Sequence, residues 1–197
     1  AGYWSSMSQT KTYRPTIGIE CHVQLKTKTK LFAGADNDAR EAAPNTTVSP
    51  LCFGLPGTLP VLNREAITLA IRAGLALRSE IAPLSRFERK HYFYPDLPLG
   101  YQITQLAEPI IGAGSVRTIT PDGEQHTVRV HHAHLEADAG KLTHPTGSST
   151  SLVDLNRAGT PLIEIVSEPD MHSPAEAKAY AQELYLLMTF ADVTFGD

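Results

Sequence analysis

The clearest periodic signal in the chain is an alternation of apolar and polar residues over TIGIECHVQLK, residues 16–26. A period of two is typical of a strand that buries one face and leaves the other to solvent. The apolar face includes Cys21, which we expect in the core. The polar face displays Glu20, His22 and Gln24, two residues apart. The pattern therefore predicts a half-buried strand with a row of polar side chains.

Further strands are indicated along the chain. Residues 86–105 combine aromatic and charged residues around a proline-rich turn, and shorter apolar runs cover residues 151–156 and 162–167. Residues 126–138 alternate as residues 16–26 do. If that strand has no bulge, one of its faces carries Val128, Val130, His132, His134, Glu136 and Asp138.

Two helices are predicted. Asn63 is a favourable cap for a helix that runs to about Glu80. The stretch between that helix and the first strand, residues 33–50, is rich in Ala, Asn, Asp and Pro and is typical of a long loop. The apolar positions that recur at helical spacing, and that we expect to face the core, are Ala66, Ile67, Ala70, Ile71, Gly74 and Leu75.

The second helix carries a clearer start signal. Ser173 and Glu176 have the spacing of a capping box, which predicts a helix to about Phe190. Strands outnumber helices and no regular alternation of strand and helix is present, so we expect an α+β domain with a largely antiparallel sheet and flanking helices. We assign this domain to residues 16–197 and treat residues 1–15 as a tail or the remnant of a leader peptide.

Composition narrows the functional classes. Hydrophobic residues make up 42% of the 197 residues, enough for a real core, and the formal net charge of −4 gives no general basic footprint for nucleic acid. Cys21 and Cys52 lie far apart without a CxxC spacing, so we expect neither a disulfide scaffold nor a zinc ribbon, and a reducing compartment fits best. The apolar segment 66–77 is interrupted by Thr68 and Arg72, so no membrane span is expected.

The polar faces contain mostly oxygen donors. Carboxylates with an occasional imidazole favour Mg²⁺ or Mn²⁺, and Mg²⁺ commonly shares its coordination with substrate phosphates. The chain has neither a GxxxxGK[ST] loop nor a GxGxxG fingerprint, so a bound nucleotide is expected on a sheet surface. The candidate residues are Glu20, His22, His132, His134, Glu136, Asp138, Asp154, Asn156, Glu164 and Glu168.

Two alternatives remain open on the residues alone. His132 and His134 with His22 form three imidazoles, the type of ligand set that hydrolytic zinc sites use. Cys52 lies beside a glycine-rich turn and is a conceivable nucleophile, although no pattern ties a base to it.

Five strings, in this order, resemble a known family: GIECHVQLKTKTKLF, GLPGTLPVLN, RKHYFYPDLPLGYQITQ, LEADAGK and SLVDLNRAGTPLIEIVSEPD. They are similar to the N-terminal catalytic region of the B subunit of the aspartyl/glutamyl-tRNA amidotransferases, the GatB family. The resemblance covers about Thr16 to Phe190. It implies that residues 16–197 are the N-terminal part of a catalytic domain related to glutamine synthetase and the guanidino kinases.

The resemblance also implies a reaction. ATP, with Mg²⁺, phosphorylates the side-chain carboxylate of Glu carried by tRNA-Gln, or of Asp carried by tRNA-Asn, and ammonia displaces the phosphate. The amidase (GatA-type) partner supplies the ammonia, a small GatC-type partner completes the complex, and the tRNA is held mainly by regions outside this chain. The implied compartment is the bacterial cytoplasm, or alternatively a mitochondrion or plastid. The alternative function is that of a catalytically inactive assembly module, which only docks the amidase.

Roles carry over from the resemblance residue by residue. The metal is expected at Glu20, His22 and Glu136, the catalytic groups are expected at Glu136, Asp138 and Glu164, and nucleotide contacts are expected at Lys141, Asn156 and Arg157. The sequence departs from the family pattern at Ala137, where relatives commonly have a second acid, so metal binding depends more on Glu136. Cys52 keeps one member of a cysteine pair found in some relatives, so structural zinc is not expected.

Overall fold

A computed structural model describes residues 13–196. The predicted tail or leader, residues 1–15, lies mostly outside the described residues. In chain order the elements are β1 (Glu20–Gln24), α1 (Arg64–Ala76), β2 (Glu88–His91), β3 (Tyr101–Thr104), β4 (Gly114–Ile119), β5 (Gln125–Ala137), β6 (Lys141–Thr143), β7 (Leu152–Asp154), β8 (Pro161–Ser167) and α2 (Pro174–Phe190).

The centre of the fold is an antiparallel sheet with the strand order β1-β8-β5-β4. Two short hairpins, β2–β3 and β6–β7, complete the strands of the described part of the chain. The expected α+β class with a largely antiparallel sheet and flanking helices is therefore confirmed.

A β-bulge divides β5 into two halves. Val130 pairs with Ser167, but the next pair is His132 with Val166, so His131 is the extra residue on the longer strand. The valines before the bulge face the core, and after it Ala133 and Leu135 take over that position. One continuous face over residues 126–138 was predicted only for a strand without a bulge, and this condition is not met. The bulge moves the core-facing side chains from even to odd residue numbers, and only this change leaves the later even positions free for polar groups.

The hydrophobic core lies on one face of the sheet. Val23, Ile163, Ile165 and Leu135 project from β1, β8 and β5 toward the helices. Tyr180 of α2 is fully buried in the same cluster. Cys21, which was predicted in the core, is only half-buried, and it packs against this cluster with a pKa raised by burial. Because the helices occupy this face, the opposite face of the sheet is available for polar residues.

Helix α1 ends earlier than predicted, and its buried face matches the predicted one only in part. Asn63 caps it as expected, its side chain accepting from the backbone N–H of Glu65 at 2.9 Å. The helix stops at Ala76 rather than near Glu80, because Arg78 adopts a left-handed φ of 54°. Two predicted core positions, Ile71 and Leu75, are exposed, and Ile67 is only partly buried. The buried residues are Ala66, Ala70 and Gly74, as predicted, together with Leu69 and Ala73.

The boundaries of several strands also differ from the predicted ones. β1 is shorter than residues 16–26, and Ile17 forms only an isolated bridge with Met171. The strands β4 and β6 were not predicted; β4 begins at Gly114 and β6 has three residues, so neither gives a long alternation. The strands predicted around a proline-rich turn over residues 86–105 are confirmed as β2 and β3, which pair as an antiparallel hairpin. Residues 33–50 contain no helix or named strand.

The start of α2 offers a test of the capping prediction. Ser173 Oγ accepts from the backbone N–H of Glu176 at 3.2 Å, and it donates to Glu176 Oε1 at 2.8 Å. Replacing a capping Ser by Ala typically costs about 1 kcal/mol, so Ser173→Ala is expected to lower the free energy of unfolding by about that amount in urea titrations. Ser149→Ala, in an exposed loop, is the matched control and should leave the midpoint unchanged. Equal midpoints for both variants would contradict the capping role.

Candidate cation and nucleotide site

The polar face of the sheet forms a regular array across β1, β8 and β5. The antiparallel register aligns side chains of the three strands in transverse rows. The rows are Glu20, Val166 and His132, then His22, Glu164 and His134, then Gln24, Leu162 and Glu136. Residues that are over a hundred positions apart in sequence are thereby brought within side-chain reach.

Three members of this array converge on one point. His22 Nε2 lies 3.2 Å from Glu136 Oε1 and 3.5 Å from Glu164 Oε2. One nitrogen and two carboxylate oxygens of these residues all lie within 4.8 Å of one another. The set combines two hard anionic donors with one imidazole, which fits a divalent cation such as Mg²⁺ or Mn²⁺.

His134 and Thr104 support the two carboxylates from the inner side. His134 Nε2 lies 3.2 Å from Glu164 Oε2 and 3.6 Å from Glu136 Oε2. Thr104 Oγ1 donates to Glu136 Oε2 at 3.2 Å. Such outer partners fix the orientation of carboxylates around a metal. Thr104 was missed in the sequence because only the packing of β3 against β5 places it there.

Glu136 stays ionised despite its burial. Only 4% of its side chain is exposed, and this burial by itself raises the pKa. The hydrogen bond and charge of His134, the charge of His22 and the Thr104 hydroxyl act in the opposite direction and outweigh it. The pKa of Glu136 therefore lies below its usual range, and the group is a carboxylate at neutral pH.

Asp138 occupies the next even position of the same segment but belongs to a separate pair. Burial raises its pKa, and Arg157 Nε, at 3.2 Å from Asp138 Oδ2, only partly offsets this. Arg157 also donates to the backbone oxygens of Ala139 at 3.1 Å and Gly140 at 2.9 Å. The pair thus holds the turn that follows β5. The predicted roles of Asp138 in catalysis and of Arg157 in nucleotide contact stay predictions.

A wide cavity of about 1560 Å³ lies beside His22, Glu136 and Glu164, which form part of its wall. The remaining nucleotide candidates line this cavity as well. Lys141 lines it together with Lys90, which the sequence did not single out. Asn156 lines it too, but this residue is only 3% exposed, and its side chain is hydrogen-bonded to the loop of residues 33–50. Its Oδ1 accepts from Thr46 N–H at 2.8 Å and Thr47 N–H at 2.9 Å. In this structure Asn156 holds the loop, and its nucleotide contact stays a prediction.

Glu20 lies apart from the converging group. It shares the polar face and the cavity with His22, but it is one row further along β1. Glu20 is therefore not a member of the His22, Glu136 and Glu164 cluster, and its role as a metal ligand stays a prediction. Glu164, which was predicted as catalytic, is a member of the cluster.

The structure does not bring together the residues of the two alternatives, the zinc site of three histidines and the Cys52 nucleophile, in the way that the sequence left open. His22 contacts carboxylates rather than joining His132 and His134 in a triad of imidazoles. Cys52 is buried, and its Sγ lies 3.4 Å from Lys30 Nζ and 3.4 Å from Ser49 Oγ, away from the lining of the large cavity.

The fold and the site define a class of protein: an α+β domain whose antiparallel sheet displays a carboxylate and imidazole cluster to a broad open cavity. The family described as the GatB/GatE catalytic domain matches residues 15–197, and the chain belongs to this family. In the described residues, neither helix has the length and apolar character needed to cross a membrane.

Curated relatives agree with the family. A protein of Alcanivorax borkumensis, named as the B subunit of an aspartyl/glutamyl-tRNA(Asn/Gln) amidotransferase, is 55% identical over 92% of this chain and 38% of its own length. A protein of the same name from Cellvibrio japonicus is 54% identical over 94% of this chain and 38% of its own length. One from Rhodopirellula baltica is 54% identical over 90% of this chain and 36% of its own length. The chain therefore spans well under half the length of these relatives.

Proposed function

We propose that this chain is the part of a GatB-type aspartyl/glutamyl-tRNA amidotransferase that activates a carboxylate with ATP and Mg²⁺. The observation that carries the proposal is the convergence of His22, Glu136 and Glu164 on one face of the sheet, beside the large cavity. Family membership and the printed names of the relatives support the substrate class. The proposed relation to the catalytic core of glutamine synthetase agrees with an antiparallel sheet that carries its polar residues on one face.

The chemistry requires two anions to approach each other. A carboxylate is a poor acyl donor, and its mixed anhydride with phosphate has a much better leaving group. Mg²⁺, when bound, would lower the electrostatic barrier between the γ-phosphoryl group and the attacking carboxylate. We assign its binding to His22, Glu136 and Glu164.

The chain's own residues position this reaction. Thr104 and His134 orient the carboxylates of Glu136 and Glu164. Lys90 and Lys141 bring positive charge to the wall of the cavity, where it favours the polyphosphate. Arg157, about half exposed, adds a guanidinium at the same wall while its bonds to the turn fix its position.

The partners follow from the same proposal. Ammonia comes from the GatA-type amidase, the small GatC-type protein belongs to the assembly, and the substrates are Glu-tRNA(Gln) or Asp-tRNA(Asn). We infer a cytoplasmic location, with a mitochondrion or plastid as the alternative.

Phosphoryl transfer from labelled ATP tests the proposal. In the enzyme assembled with its amidase and its small partner protein, the γ-phosphate label is expected to be released only when mischarged Glu-tRNA or Asp-tRNA is present, because the aminoacyl carboxylate is the acceptor. The measurement is tRNA-dependent release of labelled phosphate, with correctly charged Gln-tRNA as the control.

Two outcomes would contradict the assignment. Label release that is independent of mischarged tRNA would separate the ATPase from the proposed acceptor. A chain that co-purifies with the amidase while binding neither Mg²⁺ nor ATP in calorimetry would instead support the inactive docking module.

A further inference from the structure

Three histidines of β5 form a continuous chain of imidazoles next to the carboxylate cluster. His131 Nδ1 lies 2.7 Å from His132 Nδ1, and His132 Nε2 lies 3.1 Å from His134 Nδ1. Solvent exposure decreases from one imidazole to the next: His131 is exposed, His132 is half-buried and His134 is buried. The imidazoles therefore connect the surface with the inner side of the cluster, and the mechanism proposed above uses only the last of them.

The bulge in β5 explains why these rings are close together. His132 and His134 follow the extra residue, His131, and both face the polar side of the sheet. Their rings stack at 16° with centroids 5.1 Å apart. A nitrogen of one ring thereby faces a nitrogen of the next.

The separation of the two nitrogens matches that of two ligands on one metal. Zinc binds imidazole nitrogen at about 2.0–2.1 Å with tetrahedral geometry, which places two such nitrogens roughly 3.3 Å apart. His132 Nε2 and His134 Nδ1 are 3.1 Å apart, so only a small movement is needed. We propose that His132 Nε2 and His134 Nδ1 form a binding site for a transition-metal ion of the Zn²⁺ type, distinct from the His22, Glu136 and Glu164 cluster.

The surroundings favour a cation at this pair. Glu20 lies in the same transverse row as His132, with Val166 between them, and its negative charge acts on His132. His132 is half-buried, so water from the solvent side would supply the remaining ligands.

The second nitrogen of His134 makes the two sites compatible. A metal on Nδ1 leaves the ring proton on Nε2, which faces Glu164 Oε2 at 3.2 Å. An imidazole that binds a metal through one nitrogen and donates to a carboxylate through the other is the usual arrangement around zinc. His134 would therefore link the transition-metal site to the carboxylate cluster.

The donor types separate the two ions. Imidazole nitrogens favour Zn²⁺, Ni²⁺ and Cu²⁺, whereas a site dominated by carboxylate oxygens suits Mg²⁺. An excess of Mg²⁺ is therefore expected to fill the carboxylate cluster without displacing Zn²⁺ from the histidine pair.

Competition between the chain and a chromophoric zinc chelator, in excess Mg²⁺, tests the proposal. His132→Ala is expected to weaken Zn²⁺ binding at least about tenfold, because it removes one of two nitrogen ligands. His126→Ala, on the same strand but beside Glu124, is the matched control and should stay within about twofold of the unchanged chain. His22→Ala should also leave Zn²⁺ affinity within about twofold, since His22 belongs to the other cluster.

Several results would overturn the site. Equal affinity of His132→Ala and the unchanged chain would do so, and so would loss of Zn²⁺ binding in His22→Ala, which would place zinc at the carboxylate cluster. A second measurement needs no substitution: Cu²⁺ bound at one equivalent should show hyperfine coupling to two imidazole nitrogens in electron paramagnetic resonance. Coupling to fewer than two would exclude the pair. None of these results bears on the ATP-dependent reaction, which is tested separately.

Discussion

Glu136→Gln is expected to lower tRNA-dependent phosphate release by the assembled enzyme by about 100-fold or more. Changes to groups that only support metal ligands already cost about 10- to 100-fold, and Glu136 is itself proposed as a ligand. Gln keeps the size of the side chain and can still accept from Thr104, so the loss would come from the missing negative charge. The measurement is release of labelled phosphate, together with Mg²⁺ affinity by calorimetry.

The control for this substitution lies on the same hairpin. Glu124→Gln removes an exposed carboxylate near the β4–β5 turn and should leave phosphate release unchanged. The glutaminase activity of the amidase partner should stay at its basal level in Glu136→Gln, since that chemistry belongs to another protein of the assembly. Equal loss of both activities would indicate a defect in assembly and would contradict the proposed role of Glu136.

The sequence predicts most of the strands because their side-chain alternation is local. β1, β8 and the hairpin of β2 and β3 all carry a pattern that is visible without knowledge of their neighbours. β4 and β6 do not: Gly114 begins one of them, and the other pairs over three residues only. Their formation depends on partners supplied by the rest of the fold, and propensity alone does not indicate them.

The bulge at His131 shows why the site was only partly predictable. Alternation assigns Val128 and Glu136 to one face, yet the structure buries Val128 in the core and turns Glu136 toward the opposite side. An extra residue in a strand has no strong local signal here, since neither Gly nor Pro marks it. The chemical types of the ligands could be read from the sequence, but their sides of the sheet could not.

The distances between side chains on different strands could not be predicted from the sequence either. The polar face of β1 was predicted, but which of Glu20 and His22 reaches the carboxylate of Glu136 depends on register. The pairing of His22 with Glu164 places it in the middle row, and Glu20 falls one row away. Glu136 lies in the row of Gln24, so it is one row from His22 and two rows from Glu20, and two rows correspond to about 14 Å along a strand.

Substitutions in the hydrophobic core beneath this site are also expected to have large effects, in this case on the stability of the fold. Ile163→Ala is expected to lower the free energy of unfolding by about 2–5 kcal/mol, because Ile163 is fully buried and its truncation leaves a cavity. Its strand, β8, is paired on both sides, and Ile163 lies opposite Val23 of β1 and Leu135 of β5. The measurement is urea unfolding followed by circular dichroism, compared with the unchanged chain.

The size of this effect matters because it is a large part of the total stability of about 5–15 kcal/mol that small domains have. Ile119→Ala is the matched control: Ile119 is 65% exposed at the end of β4, so its loss should change stability by no more than about 0.5 kcal/mol. Since Glu164 directly follows Ile163, loosening of β8 should also weaken Mg²⁺ binding, although the cluster keeps all its ligands. If Ile163→Ala were as stable as Ile119→Ala, the packing of the sheet against the helices would not be what holds His22, Glu136 and Glu164 together.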